Sequence, residues 1–174
     1  AGNDNRAKLC FCQCLAGQDM ISDDYHNSMN IVGIARSLTQ AGHKEQSEQC
    51  LSKAIETTEL IQNFYDQSKS LLALAEARAE VGMFHSARNL AKKISYEDLK
   101  SQAFSVIASK EARSGDLHGA ISLISSNVKY RDFHRAKALS SIASAMSDLD
   151  ILESRGDISF HKLQMSAEMI RSEY

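Results

Sequence analysis

Three stretches of this chain share one spacing, and that spacing limits what the chain can fold into. In IARSLTQAGHKEQS, Ala35 is followed seven residues later by Gly42, and Gly42 five residues later by Ser47. LAEARAEVGMFHSA repeats the pattern with Ala75, Gly82 and Ala87, and FSVIASKEARSGDLHGAISLI repeats it with Ala108, Gly115 and Ala120. An apolar residue precedes each anchor alanine (Ile34, Leu74, Ile107), and a bulky one sits four before it (Ile31, Leu71, Phe104). A decayed fourth copy has Leu139, Ile142 and Ala143, with Asp150 in the glycine's place. The anchors are 40, 33 and 35 residues apart. Self-similarity at this period is the signature of a stacked array of small supersecondary units.

The unit is helical. Offsets −4, −1 and 0 from the anchor fall on one side of a helix at about 3.6 residues per turn, giving a buried apolar stripe. The glycine closes the helix, because a residue without a side chain adopts positive φ without penalty. A second helix starts within a few residues, and its small residue (Ser47, Ala87, Ala120) lets it pack closely on the first. Each unit is therefore expected to be a helical hairpin.

This spacing resembles the tetratricopeptide repeat, a helix-turn-helix unit of about 34 residues. The match runs from roughly Met29 to Ser147, with Gly42, Gly82 and Gly115 at the family's turn glycine and Ser47, Ala87 and Ala120 at its small helix-B position. At the family's aromatic position, three past the anchor, stand Leu38, Arg78, Glu111 and Met146, and the chain has no proline to close a repeat. The resemblance implies an all-α fold, an α-solenoid of stacked antiparallel helix pairs forming a tetratricopeptide-like superhelix. It would comprise three full repeats, a decayed fourth and capping helices. The expected layout is a single helical-repeat domain over 1–174: an N-terminal helix in 1–23, repeats at 24–63, 64–94 and 95–128, and the decayed repeat with a C-terminal cap in 129–174.

Composition fits that expectation. With 43% hydrophobic and 24% charged residues the chain falls among ordinary soluble domains, and the absence of tryptophan favours closely packed helices over a strand-rich core. A net charge of −2 provides no electrostatic footprint for nucleic acid. No apolar run reaches the length of a membrane span, and no secretory signal pattern opens the chain. A cytoplasmic location is the corresponding expectation. The first residue is Ala1, which suggests a processed protein or a piece of a longer one.

Along the chain, CFCQC places Cys10, Cys12 and Cys14 on an expected helix. Cys12 would point about 160° from the midline of the other two, and no nearby CxxC or histidine pair completes a tetrahedral set. Structural thiols in a reducing compartment are therefore expected, with neither metal nor other cofactor. Ser22, Asp23 and Asp24 offer an N-cap for the first repeat helix, and Ser95 with Asp98 offers one for the third. Helix B of the first repeat carries seven extra residues, about two turns, which return the same face to the core. A final amphipathic helix over 159–171 reads as a cap, or as a surface for self-association.

No catalytic residue is expected. His85 and His118 share one repeat position and His26 and His134 another, and equivalent positions lie roughly 10 Å or more apart, too far to share a metal ion. The chain reads as a non-catalytic scaffold whose partner is a protein or peptide. The alternatives are an RNA-binding repeat of the pentatricopeptide kind and an accessory domain of a larger enzyme or regulator. With offsets −4, −1 and 0 in the core, offsets −6, −3, +1 and +5 form the opposite stripe, which lines the concave groove in repeat arrays. The candidate binding residues are Met29, Val32, Arg36 and Gln40, then Lys69, Leu72, Glu76 and Glu80, then Gln102, Ser105, Ser109 and Arg113. Lys137, Ser140, Ser144 and Asp148 continue the stripe in the decayed unit. Some members of the family grip a C-terminal carboxylate with a lysine and an asparagine. Val32, Leu72 and Ser105 fill the lysine slot here, and Arg36, Glu76 and Ser109 the asparagine slot. The expected ligand is therefore an internal extended or helical peptide, anchored near Val32 and Leu72 and oriented by Arg36 and Glu76. Arg78 and Glu111, at equivalent offsets in adjacent repeats, are expected to pair with each other.

Overall fold

A computed structural model describes residues 17, 23–127, 135–137, 139–144 and 147. These contain six helices and no strand: α1 (Asp24–Gln40), α2 (Lys44–Leu60), α3 (Phe64–Glu80), α4 (Phe84–Lys93), α5 (Glu97–Arg113) and α6 (Leu117–Asn127). Residues 135–137, 139–144 and 147 are also helical. The cysteines of CFCQC and the expected terminal helix lie outside the described residues.

Each hairpin is closed in the same way. Gly42, Gly82 and Gly115 have φ of 85°, 81° and 96°, and no other described residue has positive φ. At each turn the glycine N–H bonds back to Thr39, Ala79 or Ala112, and the next N–H bonds to Leu38, Arg78 or Glu111. This paired arrangement satisfies carbonyls that a helix end would otherwise leave bare. The starts of the first helices are less uniform. Asp23 accepts from the Tyr25 N–H at 3.1 Å, and Asn63 accepts from Tyr65 and Asp66. The third first helix departs from expectation: its N-cap is Tyr96, with no side-chain cap, while the Ser95 N–H donates to the buried Ser68 hydroxyl at 3.3 Å.

Packing follows from where the small residues fall. Ala35, Ala75, Ala108, Ser47, Ala87 and Ala120 are all fully buried, so the two helices of each hairpin approach closely. The first helices α1, α3 and α5 also pack on one another in order, and the second helices α2 and α4 pack on α3 and α5 respectively. The middle helix α3 is thus surrounded by α1, α2, α4 and α5, and ten of its 17 residues are buried. As expected, α2 has 17 residues against 10 in α4 and 11 in α6. The fourth anchor departs from the other three, since Ala143 is exposed whereas its neighbour Ile142 is buried.

Candidate binding surface

The face opposite the core stripe consists of α1, α3 and α5 side by side, with Lys137 and Ser141 next to α5. Offset −3 does not belong to the open part of it. Val32, Leu72 and Ser105 are only 2%, 9% and 5% exposed. The first helices lie so close together that this offset falls into the seam between them. Val32 and Leu72 are therefore core residues, not the exposed apolar anchors expected from spacing. The open stripe is rotated toward offsets −6, +1 and +5: Met29, Lys69 and Gln102 are half-buried, as are Arg36, Glu76 and Ser109, and Gln40, Glu80 and Arg113 are exposed.

The two ends of this stripe differ in chemistry. Arg36 of α1 donates to Glu76 at 3.0 Å and lies 3.3 Å from Glu80, both on α3, so the two expected partner-orienting charges, Arg36 and Glu76, are engaged with each other across the seam. Lys69 lies over the Tyr65 ring at 4.3 Å and within 6.0 Å of the Tyr25 ring, and Tyr65 in turn meets Tyr96 edge to face. An ammonium held over an aromatic face is already partly satisfied. At the α5 end, by contrast, Gln102, Ser105, Val106, Ser109 and Lys110 line a cleft together with Lys137 and Ser141. Four residues of the expected stripe thus come together there.

Arg78 and Glu111 are both buried, but they do not pair with each other. Arg78 lies 3.6 Å from Glu48 and also donates to the Met83 sulfur and Ser52. Glu111, with no exposed surface, binds Arg88 at 2.7 Å. Each reaches across to the preceding second helix instead of to the equivalent position on the neighbouring first helix. Glu48 and Arg88 themselves occupy one repeat position, immediately after the small residues Ser47 and Ala87.

A further repeat position escaped the spacing argument. Ser28, Ser68 and Ser101 each stand seven residues before an anchor alanine, and all are buried. Ser28 lies 2.7 Å from the Thr58 hydroxyl and 2.5 Å from Ser70, and Thr58 lies 2.8 Å from Ser70, joining α1, α2 and α3. Recurrence of serine at one offset was the available signal, hidden because serine reads as a surface residue.

His26, His85 and His118 are exposed, and His26 bonds the Asp23 carboxylate, which with the Tyr25 N–H holds that carboxyl below its ordinary range. Burial pushes the Cys50 thiol up to about 11, so it remains protonated and unreactive at neutral pH. Among the described residues no group of His, Cys, Asp or Glu could hold a metal ion, and no helix is long and apolar enough to cross a membrane.

The chain matches no family model, curated protein or solved structure.

Proposed function

We propose that this chain is a tetratricopeptide-like α-solenoid that binds a peptide segment of another protein and carries out no chemistry of its own. The observation that carries this is the cleft at the α5 end of the first-helix face. Here Gln102, Ser105 and Ser109 of α5 line a single concave surface with Lys137, the residue one repeat after Gln102. Rigid helices presenting variable side chains at fixed intervals are suited to extended ligands. The three identical glycine turns and the order in which the first helices pack support the solenoid. Binding is assigned to the α5 end because Val32 and Leu72 are buried and Arg36, Glu76 and Glu80 are engaged with one another.

Panning a random peptide library against the full chain, followed by hydrogen-exchange mapping, tests this directly. Enriched peptides are expected to slow exchange in α5 and 135–144. Failure to enrich any sequence over a protein-free control, or protection confined to the α2 and α4 surfaces, would overturn it.

A further inference from the structure

Building on the assignment of peptide binding to the first-helix face, we propose that its α5 end recognises an oxyanion on the peptide, a carboxylate or phosphate group held between Lys110 and Lys137. The two ends of the face use their charges in opposite ways. At the α1 and α3 end, Arg36 is held by both Glu76 and Glu80, one positive charge against two negative, which disfavours an anionic ligand there. At the α5 end two lysines, Lys110 and Lys137, line one cleft and no acidic residue lines it with them. Among the described residues neither Lys110 nor Lys137 has a carboxylate partner.

The surrounding groups favour the same class of ligand. Ser109 and Ser141 offer hydroxyls and Gln102 an amide, all able to donate to an oxyanion. The Ser105 hydroxyl donates to the Ser101 carbonyl at 2.8 Å, so it shapes the wall without contributing a donor. Gln102 and Ser109 are seven residues apart on one helix, about 10 Å along its axis, a span that three residues of an extended peptide cover. Lysine ammoniums act as mobile point charges and impose no planar geometry, so the cleft accepts a flat carboxylate or a tetrahedral phosphate. Recognition by charge at a partly exposed site weakens as salt is added.

Fluorescence anisotropy with the full chain and three labelled twelve-residue peptides tests the assignment. The peptides share one backbone and carry glutamate, phosphoserine or glutamine at their central positions. The glutamate or phosphoserine probe is expected to bind about tenfold more tightly than the glutamine probe at low salt, since two lysines each contribute roughly a fivefold effect at most. Lys110→Ala and Lys137→Ala should each remove a few-fold of that preference, whereas Lys44→Ala, outside the cleft, should leave it unchanged. Binding of the phosphoserine probe alone identifies a modified partner, and binding of both anionic probes identifies an acidic one; either supports the assignment. Equal affinity for the glutamine probe, or unaltered affinity in both lysine variants, overturns it. If the glutamine probe binds equally while protecting α5 from exchange, peptide binding stands and only the oxyanion is removed. If no probe binds, the oxyanion is rejected, and the library selection decides peptide binding separately.

Discussion

At the scale of single residues, the hydroxyls of Ser28, Thr58 and Ser70 show how polar groups can be built into an alanine-rich core. The Thr58 hydroxyl donates to the Ala54 carbonyl at 2.7 Å and can accept from the two serines, so all three protons find an acceptor. Thr58→Val keeps the side-chain shape but removes the central hydroxyl, leaving the two serines only each other and the long 3.4 Å bond from Ser28 to the Ala54 carbonyl. We expect it to lower unfolding free energy by about 1–3 kcal/mol, read as a lower urea midpoint at unchanged slope. The Ser28→Ala change removes donor and acceptor together and should cost less. Residues of this kind were the least legible in the sequence. Offsets on a helical wheel give a direction to within one seam, and that is where Val32 and Leu72 went astray: both point at the neighbouring first helix, and a wheel drawn for one helix has no neighbour. Ser95 shows the same limit, since its backbone N–H is taken by Ser68 from another hairpin.

At the scale of helices, legibility was high because the signals are local. Glycine at positive φ, a small residue five later and an apolar stripe placed the hairpin turns at Gly42, Gly82 and Gly115, and the seven extra residues of α2 were visible as an interval. The pairing of Arg78 and Glu111 was not visible, because it depends on which second helix each faces. The seam between α2 and α3 carries Glu48 with Arg78, and the seam between α4 and α5 carries Arg88 with Glu111. The positions are equivalent and the charges reversed. Arg88→Glu would set a carboxylate against Glu111, which has no exposed surface and whose Oε2 already lacks a hydrogen-bond partner. Because Arg88 is 34% exposed, we expect a loss of about 3 kcal/mol, at the low end for a fully buried pair. The double reversal Arg88→Glu with Glu111→Arg should recover about half of it. Absence of recovery in a double-mutant cycle would mean that packing, not pairing, sets the seam.

At the scale of the whole molecule, stability should be uneven in a way set by neighbours. Leu74 lies in α3, which touches four other helices, whereas Ile124 lies in α6, for which α5 is the chief helical neighbour among those described. Both side chains are buried. Leu74→Ala and Ile124→Ala should each cost about 2–5 kcal/mol locally. Hydrogen exchange should separate them, Leu74→Ala speeding exchange from α1 through α5 and Ile124→Ala mainly in α5 and α6. Uniform acceleration in both variants would indicate a single indivisible cooperative unit. The reversed seams have one more consequence, for how such a chain can lengthen. A tandem duplication of the second unit would bring the Arg88 of one copy against the Arg78 of the next, and a duplication of the third would face Glu111 with Ile121, the residue after its own small position. Neither unit can follow itself without a charge fault at the new junction, so this array cannot grow by simple copying of its inner parts and must acquire a matched substitution with each added hairpin.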